Sequence, residues 1–504
     1  MSIQLIALTA NHMSINVIRK NVIFQPDSSR VIARFFDHGS VKAPLIIKRI
    51  LDLTEKEQKS ELGHVLRRYA KRHRNILKIF EKHFQRTEAV LLEMQINPQE
   101  LGLIKRLLIG AFFTMEYSIE SAAFFNPSIV LDPDQSRTVP GETRVIISFR
   151  ATGEGHISSI VFRSAVLNID NDIMIEPPGT MLESPAHVRN FIYDRDSFLQ
   201  KLRELNAVNK ETLPFIEERL PQKFSYEKLK VIIEDARNEV ANDARFQVLL
   251  NETKWLASSH YEMDFSLDTD ISERVIFPIK DTEKNGIEDA RFVRFVNDDG
   301  SVLYYATYTA YDGRTILPKI LMTQDFYHFK VLPVHGDIVR NKGLALFPRK
   351  INGKYAMLCR VDGVNNYIAY SDNINRWPKA ELIQKPFYPW EFVQIGNCGS
   401  PIETESGWLV LTHGVGPMRE YVLGVSLFDL TNPEVEIGRL KQPLIVPDQK
   451  EREGYVPNVV YSCGSMIHNN HLIIPYAMSD YASTYAVVNL TELLDELLDS
   501  SAKL

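Results

Sequence analysis

The sequence predicts a mainly β protein, a five-bladed β-propeller with an N-terminal helical extension and a helical insertion. Three observations predict it. An apolar, aromatic-rich strand followed by a polar loop and a second strand occurs five times, at 144–150, 302–308, 354–360, 407–413 and 471–476, and the last four recur about every 50–65 residues, as propeller blades do. Each strand follows a shorter segment, at 125–128, 288–291, 345–348, 400–403 and 460–463, in the place of the innermost strand that lines the axial channel. Helical periodicity is confined to two blocks. A β-sandwich gives no reason for five units of like internal order, and a dinucleotide-binding fold needs a Gly-x-Gly-x-x-Gly after a strand, which is missing here.

The N-terminal region, 1–124, holds the first helices. Thr54-Glu55-Lys56-Glu57 reads as a capping box. Leu62, Val65, Leu66, Tyr69, Ile76, Leu77 and Phe80 follow at helical spacing, which predicts one long amphipathic helix. Its other face carries Arg67, Arg68, Lys71, Arg72 and Arg74, read as a solvated face or a contact with an acidic partner. A second helix is expected from 98 to 123, stopped by Asn126-Pro127. The propeller is expected at 125–490, interrupted at about 180–260 by charged helices, with a helical tail at 491–504.

Composition narrows the partners. With 58 basic and 64 acidic side chains among 504 residues, the net charge of -6 gives no reason to expect nucleic acid or an anionic membrane. Cys359, Cys398 and Cys463 match neither a disulfide framework nor a zinc site. The N-terminus has no basic residues ahead of an apolar core, and no stretch reaches the roughly 20 apolar residues of a membrane helix. The expectation is a cytoplasmic protein with no metal or cofactor, taking a small polar substrate, with its helical regions as the contacts of any homo-oligomer.

For chemistry, the absence of His-Glu-x-x-His, Cys-x-x-Cys and Gly-x-Ser-x-Gly leaves acid-base work by carboxylates. Glu288 and Asp289 stand beside Arg291 at the top of an expected innermost strand. Strand alternation would put Glu288 and Asp289 on opposite faces and Asp289 with Arg291 on one. One carboxylate could then face the channel while the other ties down the blade; an ordinary salt bridge is the competing reading. Arg150, Glu154, His156, Arg163, Tyr308, Asp312, Lys342, Arg360, Glu391, His413, Glu451 and Tyr476 fall near the same rim. Trp390 and Trp408 could face a sugar, although a tryptophan inside a blade more often packs.

Gly286-Ile-Glu-Asp-Ala-Arg291, Tyr308-Thr-Ala-Tyr-Asp312, Lys342-Gly-Leu-Ala-Leu-Phe-Pro348, Pro401 to Trp408 with His413-Gly-Val415, and Glu451 to Val459 occur in order. Together they resemble glycoside hydrolase family 130, the mannoside phosphorylases and β-mannosidases, over roughly 125–490. The resemblance implies a five-bladed propeller and inverting cleavage of a β-mannoside, with Asp289 as proton donor, in some members through a sugar hydroxyl. The residues expected to contact substrate are Arg150, Glu288, Arg291, Tyr308, Asp312, Lys342, Arg360, Glu391, Gln394 and His413. Phosphorylases of the family typically keep a lysine soon after the Trp-Glu pair. Gln394 stands in that place here while His413 is retained, and Arg150, Arg163 and Arg360 are the cations that could replace it. On that ground the expectation leans to hydrolysis, with Glu451 as preferred base and Glu403 and Glu391 behind it, roughly 6.5–9.5 Å from the acid. The alternative is phosphorolysis of an oligosaccharide with inorganic phosphate as co-substrate; one of another class is a non-catalytic carbohydrate-binding propeller.

Overall fold

The computed structural model describes residues 15–501 apart from 186, 191, 205–207, 242, 259, 279, 314–315, 337 and 339–340. Among these residues the strands form seven sheets, five of four to six strands and two of two strands. All five expected blade strands lie in the larger sheets, as Thr143–Thr152, Val302–Tyr311, Tyr355–Cys359, Gly407–Val415 and His471–Met478. Each pairs antiparallel with the strand before it and the strand after it. Alternating Val, Ile, Leu and aromatic residues bury both faces: Val145, Ile147 and Phe149 pack on one side, and Ile146 on the other.

The five larger sheets touch in cyclic order at or near their first strands. The backbone N–H of Phe292 donates to Ser128 Oγ (3.1 Å), Thr307 Oγ1 to the Leu344 carbonyl (2.5 Å), and Asn397 Nδ2 to the Gly343 carbonyl (2.9 Å). Gly399 lies against the Cys463 carbonyl, and Cys463 N–H donates to the Pro127 carbonyl at 2.8 Å, which returns to the first sheet. These strands are irregular where they meet. Ladder pairing breaks between Phe125 and Ser128 and between Glu288 and Arg291, where Asn126 (φ 52°) and Asp289 (φ 56°) are left-handed. In the fourth sheet the segment at 400–403 is not the whole innermost strand. Gln394–Asn397 and Ile402–Thr404 both pair with Gly407–Val415, with Gly399 at φ 123° between them.

The ends of the chain complete this assembly. Val17–Arg19 pairs with Ala482–Asn489 at the outer edge of the last sheet, so the N-terminal segment belongs in part to the β region. Leu490–Ser501 is the expected C-terminal helix. It packs along Glu436–Arg439, where Gly438 lets the Leu497 carbonyl approach.

The long helix expected from Thr54 is two helices. Thr54 caps Glu55–Tyr69 with Glu57 closing the capping box, but the chain turns at 70–75, and Ile76–Gln85 starts from a left-handed Asn75. The helix expected to run to 123 ends at Phe112, and Thr114–Ser118 pairs with Val31–Phe35 instead. β-Branched and aromatic residues beyond Phe112 favour the strand. A buried Arg30–Glu120–Arg163 triad, with contacts of 2.8 and 2.7 Å, fastens this region to the first sheet.

The insertion leaves through His187–Asn190 and returns through Tyr261–Asp264, which pair with each other and extend the second sheet at its outer edge. Its helices, among them Arg195–Glu204, Tyr226–Glu239 and Ala244–Ser258, bury Phe198, Leu202, Ile233 and Leu249 in a core of their own. No helix of the described residues is long and apolar enough to cross a membrane. A Cβ at Gly399 would meet the Cys463 carbonyl at 2.6 Å with φ unfavourable for any L-residue. Gly399→Ala is therefore expected to cost about 2–3 kcal/mol, read as a lower urea midpoint with an unchanged slope; an unaltered midpoint would show that the fourth and fifth sheets are not held there.

Candidate active site

The bulges set the geometry of the site. Regular alternation would separate Glu288 from Asp289, but the break in pairing at Asp289 turns both carboxylates toward one guanidinium. Arg150, on the neighbouring sheet, donates from Nη2 to Glu288 (2.9 Å) and from Nη1 to Asp289 (3.3 Å), while its Nε holds Ser158 Oγ at 3.0 Å. The same guanidinium lies over the Phe125 ring at 4.9 Å. Lys342 Nζ donates to the other oxygen of Glu288. Asn126, the left-handed residue of the first sheet, donates its amide to Asp289 Oδ1 at 2.7 Å. An aspartate and an asparagine are among the few non-glycine residues that accept this backbone conformation readily.

Burial alone would raise the Asp289 carboxyl, but the charges of Arg150 and Lys342, with the Asn126 hydrogen bond, outweigh it and hold the group below the usual carboxylate range. Arg291 does not pair directly with Asp289. It donates to Asn397 and to Tyr461 Oη (2.5 Å), bridging the second, fourth and fifth sheets.

A second polar cluster continues from Tyr461. Its ring meets His413 edge-on at 5.1 Å, and Tyr421 stacks on His413 at 6.0 Å. Arg360 donates from Nη1 to His413 Nε2 at 3.2 Å, so the imidazole is neutral with its proton on Nδ1, facing Cys398 Sγ at 3.6 Å. Burial, and then the charge of Arg360, push His413 well below its ordinary value. Arg360 Nε is buried with no hydrogen-bond partner among the described residues. Gln394 Nε2 reaches His413 and the Tyr421 hydroxyl at 3.5 and 3.4 Å.

Of the expected residues, the structure gathers Asp289, Glu288, Arg150 and Lys342 in one cluster, and Arg360, His413 and Gln394 in the adjoining one, with Arg291 between them. The other expected residues have partners of their own, although Tyr308 also lines a small pocket with Asp289, Arg291 and Lys342. Glu403 forms a two-point ion pair with Arg349 on a hairpin, at 2.6 and 2.7 Å. Glu391 is wholly buried, accepting from Arg439 (2.8 Å) and from the backbone at 387 and 388. Tyr308 gives its hydroxyl to Glu283 (3.0 Å) in a buried group with Lys319 and Tyr261 that ties the insertion to the second sheet. Asp312 faces the insertion, where burial, and then its charge, raise the carboxyl of Glu252. Arg163 belongs to the structural triad. Trp390 packs against Gly414 and Gly424, and Trp408 is fully buried.

Glu451 accepts from Tyr476 Oη (2.5 Å) and the Asp448 N–H (2.9 Å), with Arg19 at 3.4 Å. Its carbonyl takes the Ser479 hydroxyl at 2.6 Å. Glu451 thus braces a tight turn, in which Ser479 and Asp480 are both left-handed and Tyr481 N–H returns to the Met478 carbonyl. That turn presents a residue the sequence reading missed. Burial, and then the charge of Asp289, push Asp480 up to about 6, so the site pairs a depressed carboxylate with a raised one. Between two strands, Ser-Asp reads as turn chemistry, and the aspartate is hidden in it. Asn126 was hidden in the same way, in a dipeptide that signals a helix stop.

A carboxylate pair with opposed environments, flanked by guanidinium, imidazole and phenol groups where five antiparallel sheets meet, is the equipment of an enzyme that acts on glycosidic bonds. The model of glycoside hydrolase family 130, described as beta-1,4-mannooligosaccharide phosphorylase, matches residues 263–499. A 1,2-beta-oligomannan phosphorylase of Thermoanaerobacter sp. (strain X514) is 34% identical over 224 residues, 42% of this chain and 71% of that protein. A beta-1,2-mannobiose phosphorylase of Listeria innocua serovar 6a is 28% identical over 242 residues, 46% of this chain and 65% of that one. The solved structure of Listeria innocua beta-1,2-mannobiose phosphorylase with beta-1,2-mannobiose superposes with a TM-score of 0.44 at 21% identity, over 75% of this chain and 92% of that one. The chain belongs to glycoside hydrolase family 130.

Asp480 supplies a test of the electrostatics. Its folded value lies above the unfolded 3.8, so its contribution to stability is complete below about pH 4 and is lost as pH rises through about 6. The loss reaches up to ~3 kcal/mol at pH 8. Asp480→Asn should therefore stabilise the fold at pH 8 and much less at pH 4, compared by urea denaturation. A difference from wild type that is equal at both pH values would show that Asp480 is not held neutral by its surroundings.

Proposed function

We propose that the protein is an inverting β-mannoside phosphorylase built as a five-bladed β-propeller, taking inorganic phosphate as co-substrate and releasing α-mannose 1-phosphate. The observation that carries the reading is the Arg360 guanidinium with the Tyr421 hydroxyl, held by His413 next to the Asp289 centre, which offers fixed donors for an anion where a hydrolase needs only a carboxylate base. Relatives support it: two that are 34% and 35% identical are named as phosphorylases of β-1,2-linked mannosides. This reverses the expectation of hydrolysis, since Glu451, Glu403 and Glu391 each have other work. Asp480 shares the field of Arg150 with Asp289, so it sits beside the acid rather than across the sugar from it. The cyclic order of contacts among the five larger sheets supports the propeller, and the free cysteines suit a cytoplasmic setting.

In the proposed reaction a phosphate oxygen held at Arg360 forms the bond to the anomeric carbon as the glycosidic bond breaks. The Asp289 proton goes to the leaving oxygen, directly or through a sugar hydroxyl, and free acceptor sugar departs. Glu288 and Lys342 fix the guanidinium and the sugar hydroxyls around the acid.

With β-1,2- and β-1,4-mannobiose as substrates, mannose 1-phosphate should form only when phosphate is present. Asp289→Asn should lower turnover by roughly 10²–10⁴-fold. Arg360→Gln should raise the KM for phosphate by roughly tenfold or more while changing the KM for the disaccharide little. Release of free mannose at the same rate without phosphate would return the protein to hydrolysis.

A further inference from the structure

A cavity of about 270 Å³ lies away from Asp289, where the inserted helix Arg195–Glu204 meets the end of the second sheet and a loop of the third. It is many times the ~10–15 Å³ that a single water needs. Its lining is rich in donors: Lys201 from the helix, His260 from the return of the insertion, His335 after His328–Pro333, and Asn373, Asn375 and Arg376 from the loop. Lys201 Nζ donates to His260 Nε2 at 3.3 Å, so that imidazole is neutral. His335 is almost fully buried, 6% exposed, and among the described residues its Nε2 has no hydrogen-bond partner. A buried polar atom left without a partner costs about 1–3 kcal/mol, and it is retained here beside two cationic side chains. The carboxylate on the lining, Asp194, is already engaged by Ser197 N–H and by Gln222.

The backbone holds this lining rigidly. His335 N–H donates to the Asn375 carbonyl (2.9 Å) and Trp377 N–H to the His335 carbonyl (2.7 Å). Gly336, at φ 108°, leaves no room for a side chain beside the Trp377 carbonyl.

We propose that this cavity binds the phosphate group of a small phosphate monoester, a sugar phosphate in size. Lys201 and Arg376 supply the two positive charges that a phosphate dianion requires, one as a point charge and one as a planar fork. His335 Nε2 supplies a buried hydrogen-bonding atom, and the amides of Asn373 and Asn375 suit the hydroxyls of the attached body. The choice of mannose 1-phosphate as one probe rests on the phosphorylase reading; the site does not.

The test is titration of the full-length protein, labelled with ¹⁵N-histidine, with mannose 1-phosphate, glucose 6-phosphate, inorganic phosphate and mannose. The His335 resonance, assigned through His335→Gln, reports this cavity, and the His413 resonance reports the active site. Both hexose phosphates should shift His335. Lys201→Gln and Arg376→Gln, folded by their melting temperatures, should each weaken that response by roughly tenfold or more. Tighter binding of hexose phosphates than of inorganic phosphate supports a monoester site. Equal binding of inorganic phosphate overturns the monoester, as does a His335 response to mannose alone. No shift of His335 by any phosphate, or a shift unchanged in both variants, overturns the site. A His413 resonance that stays fixed while His335 moves would count against the phosphorylase reading and leave this one standing.

Discussion

The guanidinium of Arg150 is the element on which the site depends. It is contributed by one sheet and neutralises two carboxylates, Glu288 and Asp289, contributed by the next. Gathering such charges out of water costs several kcal/mol per ion unless every partner is present, and removing one partner costs about 3–5 kcal/mol. The surroundings meet that condition closely. Ser158 takes the remaining Nε of Arg150, Lys342 takes the second oxygen of Glu288, Asn126 takes Asp289, and Phe125 covers the guanidinium face. The pairing between sheets therefore both fixes the two carboxylates and constrains how the two sheets can be spaced.

That spacing is possible because the innermost strands are not regular. A straight strand would send Asp289 and Glu288 to opposite faces, and one of them would lose Arg150. The bulge removes this alternation at the cost of a left-handed aspartate, and the facing bulge at Asn126 brings a donor to meet it. The Ser479–Asp480 turn makes a similar exchange. Two left-handed residues without glycine are held by hydrogen bonds to 451, 456 and 459, and what they deliver is a carboxyl next to Asp289. Glu451 was read from sequence as a base because it precedes the last innermost strand; its work is to hold this turn.

Much of the architecture was legible because it rests on local patterns. Strand alternation located all five expected strands in the larger sheets, and the Thr54–Glu57 capping box marked a helix start correctly. The single long helix failed because the apolar spacing from Leu62 to Phe80 continues across a turn, and hydrophobic periodicity does not register a reversal in which both halves face the same core. In the site, Asp289, Arg150, Lys342 and His413 were recoverable as charged or titratable residues near strand ends. Asp480 and Asn126 were not, because Asp and Asn in turns have an ordinary local explanation. Glu391 was misread for the opposite reason: its carboxylate faces a buried partner, Arg439, that only tertiary structure supplies.

The resting charge balance bears on the choice between phosphate and water. A proton donor must hold its proton at working pH, yet Arg150 and Lys342 keep Asp289 below the ordinary carboxylate range. Water entering the site would leave that field as it is. A phosphate dianion seated at Arg360 would add negative charge beside Arg291, His413 and Asp289, and like charge raises a carboxyl. On the phosphorolytic reading the co-substrate therefore helps to protonate the acid that acts with it. Gln394, an uncharged residue where the family resemblance implies a lysine, fits this balance on that reading. With Arg360 already present, a further ammonium would bind phosphate more tightly but would also oppose the rise in Asp289, whereas the amide contributes a hydrogen bond without the charge.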